Sequence, residues 1–206
     1  MPLTDPILVW DVDDVLNDLT IEWLRAERPG DSGLYESLRD PRLHLGLGID
    51  EQDYLASLDN FRLNGGFEAM EPRPDVLSWF REHGDRARHV ALTSTPLRTA
   101  PVSATWVMRH FGRWIRTFHV VPSTRPDDDA PALDPDKEHA LRFLALGSVM
   151  IDDRPENLDG ARRAGLEAIR FPRPWNGGGN PRTALAQLTD MIRGASTTYT
   201  PEKDPA

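Results

Sequence analysis

Ile7-Leu8-Val9-Trp10-Asp11-Val12-Asp13-Asp14-Val15-Leu16-Asn17-Asp18 decides the fold of this chain. Four apolar residues behind Pro6 form a short continuous run that reads as a buried strand. The run stops at Asp11, and Asp13, Asp14 and Asp18 follow. Open α/β sheets bind ligands at the C-terminal ends of their strands, and this strand delivers carboxylates there. Asp11 and Asp13 are two residues apart, so a turn just after the strand brings both to one small volume. Carboxylates held that close repel, and a divalent cation or a shared proton relieves the repulsion. The plainer alternative is an acidic turn after an edge strand.

Outward from this stretch, strand-like and helix-like pieces alternate, which favours an α/β fold with a Rossmann-like parallel sheet flanked by helices. Further strands are read at 89–92, 118–121, 148–151 and 167–171. Helices are read at 74–84, 101–111, 136–146, 155–164 and 181–193. Residues 18–72 carry helical pieces at 18–28, 34–39 and 51–60, separated by Pro and Gly, and nothing resembling a sheet-core strand. They read as a small helical cap inserted between the first strand and the next αβ unit. The core is then 1–17 with 73–195, and 196–206 reads as a disordered tail. Asp127-Asp128-Asp129 reads as a solvated loop.

Composition narrows the function. With 206 residues the chain suits one ordinary domain with an insert. Its 33 acids against 24 Lys plus Arg give a net charge of −9, which disfavours a nucleic-acid polymer or an anionic membrane as partner. It has no cysteine, so disulfides, thiolate metal sites and a Cys nucleophile are excluded. No apolar run approaches the ~18 residues of a membrane span and no signal-like start is visible, so a cytoplasmic protein is expected. A homodimer is compatible with this composition.

The opening event recurs. The second strand ends at Thr93-Ser94 and the fourth at Asp152-Asp153, and parallel strands put all three ends on one edge of the sheet. Two acid clusters supply oxygen ligands for a hard cation such as Mg²⁺, and a hydroxyl beside them donates to a phosphate oxygen. A balancing cation is available in Lys137. The chain has 22 arginines and two lysines, so a lysine here fits a place that needs a compact ammonium, or it is one stray residue in an Arg-biased chain.

Order and content together resemble the haloacid dehalogenase-like superfamily of phosphohydrolases. The residues that carry the resemblance are Asp11-Val12-Asp13, Thr93 (82 residues on), Lys137 (44 further) and Asp152-Asp153 (15 further), within residues 6–171. A response-regulator receiver uses similar residue types but would place its phospho-acceptor Asp on a middle strand. The resemblance implies Asp11 as the nucleophile that becomes an aspartyl-phosphate and Asp13 as general acid and then base. It implies Thr93, Ser94 and Lys137 as phosphate-binding residues. Mg²⁺ would be held by Asp11, the backbone carbonyl of Asp13, Asp152 and, directly or through water, Asp153. The acid at Asp13 disfavours carbon–halogen cleavage.

A narrower pattern is similar to the 5′(3′)-deoxyribonucleotidases: Val15-Leu16 and Asp18 after the first motif, Glu71-Pro72 with Pro74, Thr93-Ser94 with Pro96, Trp106-Val107 with Phe111-Gly112, and Asp152-Asp153-Arg154-Pro155. Asp14, Thr95 and Ser103 depart from that pattern. The expectation is therefore a Mg²⁺-dependent phosphomonoesterase for a small phosphorylated metabolite, such as a nucleoside monophosphate. A phosphotransferase or sugar-phosphate mutase with the same intermediate, and a non-catalytic binding module of the same fold, are the alternatives. Ser103 removes a candidate phosphate contact, and Arg98 either replaces it or does not. Trp175, with Asn176 beside it, either stacks on a base or packs on the sheet edge. Phe61, Phe67 and Tyr54 read first as cap core, the six His as structural or surface. Gly177-Gly178-Gly179 lacks the neighbours of a phosphate loop.

Overall fold

A computed structural model describes residues 5–126, 131, 133–145 and 147–193. The tail 196–206 and Asp127-Asp128-Asp129 lie outside the described residues. Five strands, β1 (Ile7–Trp10), β2 (Arg88–Thr95), β3 (Ile115–Pro122), β4 (Val149–Asp152) and β5 (Glu167–Arg170), form one sheet in the order β3-β2-β1-β4-β5. Every pairing is parallel. With β1 in the centre, the chain crosses to β2 on one side and reaches β4 on the other. The crevice beyond its C-terminal end is the topological switch point of the sheet.

Alternation along β1 assigns the two faces. Leu8 and Trp10 join the cluster with Trp79 and Phe80 of α5 (Pro74–His83), Phe111 of α6 (Ala100–Phe111) and Leu188 of α9 (Pro181–Ile192). Val9 turns to the other face, against Ala140 and Leu141 of α7 (Lys137–Leu144) and Ala161 of α8 (Pro155–Arg163). Trp10 donates from Nε1 to Nδ1 of buried His89 at 3.0 Å, and the other His89 ring nitrogen meets the Gly84 carbonyl at 2.8 Å. Those partners fix the neutral ring, and burial pushes the His89 pKa down to about 4.

Two strands are longer than the sequence suggests. β2 runs on through Thr93–Thr95, whose backbones stay paired with Val120–Pro122, and β3 starts at Ile115. Ladder hydrogen bonds, not side-chain polarity, decide where a strand ends.

Between β1 and α5 the chain is helical: α1 (Leu19–Glu27), a 3₁₀ helix over Pro29–Ser37, α2 (Leu43–Leu47), α3 (Glu51–Leu63) and α4 (Gly66–Ala69). The 3₁₀ helix covers part of the short helical piece read at 34–39 and starts earlier; Gly30 and Gly33 weaken α-helix there. Trp23, Tyr54, Phe61 and Phe67 are buried in this segment. It docks on the sheet layer through Trp106, which donates from Nε1 to the Met70 carbonyl at 2.7 Å. Among the described residues no helix is long and apolar enough to cross a membrane.

Candidate active site

The backbone of Asp11 continues the sheet: its N–H donates to the Ile151 carbonyl at 3.0 Å, which pins the end of β1 beside the end of β4. Beyond it the chain folds tightly, with the Leu16 N–H returning to the Val12 carbonyl at 2.9 Å. The turn needs a left-handed residue, and Asp14 supplies it at φ 60°. Asp is among the few L-residues that tolerate this conformation, which accounts for the departure from the narrower sequence pattern at this position. The buried Asp14 carboxylate then accepts from the Thr20 N–H (3.0 Å) and hydroxyl (2.5 Å) at the start of α1.

Lys137 sits in the first turn of α7, behind the N-cap Asp136. Its ammonium lies 2.7 Å from Asp11 Oδ1 and 2.7 Å from Asp152 Oδ2, and its side chain is 1 % exposed. Asp152 also accepts from the Arg154 N–H (2.8 Å) and from Asn157 Nδ2 (3.1 Å to each oxygen). Asp11, Asp152 and Asp153 each present an oxygen within 4.8 Å of the others. Lys137 pairs with two of these three buried carboxylates, Arg154 is the cation beside Asp153, and the electrostatics follow. Burial, then the charge of Asp152, raises the Asp11 carboxyl well above the usual carboxylate range despite Lys137. Burial and Asp152 also push Asp153 up to about 7. Burial works against the Lys137 charge, yet Asp11 and Asp152 outweigh it and hold its pKa above that of ordinary lysine. A dication relieves this imbalance, and an all-carboxylate donor set suits Mg²⁺.

These groups border a cavity of about 320 Å³. Asp11, Asp13, Asp153 and Lys137 line it from the sheet edge, Ser94 and Pro96 from the end of β2, and Tyr54, Leu58 and Arg62 from α3. Thr93 is buried at the end of β2 with its Oγ1 unpartnered, and Asp13 Oδ1 is likewise buried without a partner. Asp13 Oδ2 accepts from Arg62 at 2.7 Å.

The structure thus gathers Asp11, Asp13, Thr93, Ser94, Lys137, Asp152 and Asp153 at one edge. It places the three expected substrate contacts elsewhere. Arg98 is half-exposed, donates to Asp59 at 2.8 Å and does not border the cavity. Trp175 is buried, with its Nε1 on Asp153 Oδ2 at 2.7 Å. Asn176 donates to the Asp153 and Phe171 carbonyls at 2.7 and 2.9 Å. The Trp175 ring packs under the acid cluster rather than in the cavity, in the sense of the sheet-edge alternative. Thr95 meets the Thr99 hydroxyl at 2.7 Å, and Ser103 is buried on α6 with its hydroxyl unpartnered.

Sequence reading missed Arg62, Asp59 and Arg125. Asp59 accepts from Arg125 (2.8 and 2.9 Å) and Arg98 (2.8 Å) and pairs with Arg62 at 3.5 Å. Burial alone would raise the Asp59 carboxyl, but the hydrogen bonds from Arg125 and Arg98 bring it below its usual value. A signal was present: Asp59 and Arg62 follow Leu55 and Leu58 at i+4, where an apolar stripe should continue.

Similarity to known proteins enters through structure alone. No protein-family model matches the chain, and no curated protein matches its sequence. A haloacid dehalogenase-like family hydrolase from Streptococcus pneumoniae superposes with a TM-score of 0.56 at 13 % identity, over 88 % of this chain and 90 % of that one. The fold is that of the haloacid dehalogenase-like hydrolases. A second Streptococcus pneumoniae hydrolase superposes with a TM-score of 0.57 at 12 % identity, over 91 % of this chain and all of that one. Protein Tyrosine Kinase A of Mycobacterium tuberculosis does so with a TM-score of 0.56 at 19 % identity, over 81 % and 83 %. A hydrolase and a kinase on one haloacid dehalogenase-like fold show that the site, not the fold, must carry the functional argument.

Proposed function

We propose that this protein is a Mg²⁺-dependent phosphomonoesterase that works through an aspartyl-phosphate on Asp11. The observation that carries the reading is the Lys137 ammonium, 2.7 Å from both Asp11 and Asp152 at the base of a cavity. A structural lysine has little reason to be buried among three carboxylates, whereas a phosphoryl-transfer site needs that mixture of charges.

Asp11 attacks phosphorus with the oxygen that Lys137 does not hold, and the ester bond to the leaving oxygen breaks. Asp13, with Oδ1 unpartnered in the cavity, donates the proton that oxygen takes up, then removes one from the water that hydrolyses the acyl phosphate. The Thr93 hydroxyl and the Ser94 backbone N–H donate to the phosphoryl oxygens, and Lys137 shares their charge. Asp11, Asp152 and Asp153 would hold Mg²⁺, which when bound offsets the repulsion between nucleophile and phosphate. Residues 18–72 act as a cap that brings Tyr54, Leu58 and Arg62 over the cavity and excludes water.

The substrate is a small phosphorylated metabolite, with nucleoside monophosphates the first class to assay because of the sequence pattern around Asp11, Thr93 and Asp152. The test is phosphate release from a broad panel with and without Mg²⁺, on wild type and Asp11→Asn. Metal-dependent release that falls at least ~10³-fold in Asp11→Asn supports the proposal. Release unaffected by that substitution, or no release from any substrate, overturns it. Adding an acceptor alcohol or a sugar phosphate to the same assay distinguishes hydrolysis from phosphoryl transfer, the alternative favoured by an acid–base residue that would serve either acceptor.

A further inference from the structure

The loop after β5 has no role in the chemistry above, yet it contains the partners of Asp153. Its indole, Trp175, is 4 % exposed and donates from Nε1 to Asp153 Oδ2 at 2.7 Å. Asn176 grips the same residue by its backbone, donating to the Asp153 carbonyl at 2.7 Å. The loop itself is rigidly set. Asn176 Oδ1 accepts from the Arg173 N–H at 2.9 Å, and Arg173 donates to the Asp14 and Asn17 carbonyls at 2.5 and 3.0 Å. From the helical segment, Tyr35 meets the Trp175 ring edge-on, centroids 5.9 Å apart at 90°, and accepts from Arg173 at 3.2 Å.

We infer that Trp175 is a positioning residue for the candidate metal centre, fixing the Asp153 carboxylate for the cation and tying that carboxylate to the cap through Tyr35. This rests on the proposed Mg²⁺ site. The chemical point is the kind of donor used. Asp11 and Asp152 both contact an ammonium, which partly cancels their charge and competes with an incoming cation, and Asp152 accepts from the Arg154 N–H and Asn157 besides. Asp153 is held at Oδ2 by a neutral N–H, which fixes its orientation without bringing a positive charge of its own. Indole can only donate, so Trp175 cannot relax by accepting from another group, and burial denies it water. Partners of this kind around ligating carboxylates commonly change metal affinity by about 10- to 100-fold.

The experiment measures Mg²⁺ binding directly, by titration calorimetry and by the Mg²⁺-induced rise in Tm, on wild type, Trp175→Phe, Trp175→His and Asp152→Asn. Trp175→Phe keeps the aromatic packing and deletes the donor; Trp175→His returns a ring N–H. The expected result is an affinity about 10-fold or more weaker in Trp175→Phe and partly recovered in Trp175→His, with near-wild-type Tm in both without metal. Equal affinity in wild type and Trp175→Phe overturns the inference and leaves the proposed function standing. Weakening without recovery in Trp175→His, or a Trp175→Phe that loses its fold, marks a packing role and also overturns it. Wild type that binds no Mg²⁺, or Asp152→Asn that binds it as wild type does, removes the metal site and so overturns both.

Discussion

The C-terminal edge of the sheet and the helical segment 18–72 face each other across one cavity, but their charges are held by opposite means. At the sheet edge, Asp11 and Asp152 are placed by the parallel ladder, and Lys137 is driven between them. In the segment, Asp59 and Arg62 are placed by other charges: Arg98 and Arg125 arrive from loops after β2 and β3 to complete the cluster. In the first arrangement the backbone fixes where the carboxylates stand, and Lys137 holds their charges together. The second is a mutual arrangement, in which losing one member releases the rest. Functional precision therefore belongs to the sheet edge, and adjustability to the segment.

The largest expected effect breaks the sheet-edge arrangement. Lys137→Met leaves two buried carboxylates facing each other and should lower stability by about 3–5 kcal/mol in urea unfolding. Millimolar Mg²⁺ should restore part of that loss, and no restoration would argue against a cation site there.

Next is a pH effect deeper in the sheet. The folded pKa of His89, near 4, lies below the unfolded value of 6.5. The neutral ring therefore contributes its full stability above pH 6.5, loses it progressively as pH falls to 4, and loses nothing more below that. The total is about 3 kcal/mol. Asp11 and Asp153, raised by burial, work in the opposite direction in metal-free protein. The measurement is accordingly the difference in unfolding free energy between wild type and His89→Gln across this range. A constant difference would refute it.

Chelation should cost slightly less. At 100-fold excess over its Kd, Mg²⁺ adds about 2.7 kcal/mol, so EDTA should lower Tm by about 5–10 °C by calorimetry. The smallest effect tests the segment. Asp59→Asn should cost about 2 kcal/mol through weakened charged hydrogen bonds and raise KM, with a smaller fall in kcat passed on through the Arg62 contact with Asp13. A fall in kcat alone would place Asp59 on the wrong side of the comparison.

Legibility in the sequence follows the same division. Apolar runs closed by Asp11, Thr93 and Asp152 are local signals, and they mark three of the five parallel strands and the residues at their ends. Strand limits were less legible, since Thr95 stays in β2 through the neighbouring chain, its carbonyl accepting from the Ser123 N–H at 3.1 Å. Long-range partners left little local trace. Nothing about Trp175 announces that its indole lies beneath a carboxylate 22 positions earlier. Asp59 and Arg62 interrupt the apolar stripe of their helix, but the partner that explains them, Arg125, arrives from a loop 66 residues beyond Asp59. Charged side chains satisfied by distant charges are the contacts that a period of 3.6 or 2 does not encode.

The central position of β1 carries a consequence for the inserted segment. Both its hydrogen-bonded neighbours come from later in the chain, so no strand pairing depends on the length of what is inserted directly after it. Lengthening a closed loop adds only ~0.6 kcal/mol per doubling, so the residues after Asp18 form a replaceable module. Exchanging one such module for another leaves the register of β1 with β2 and β4 to be set by the strands themselves.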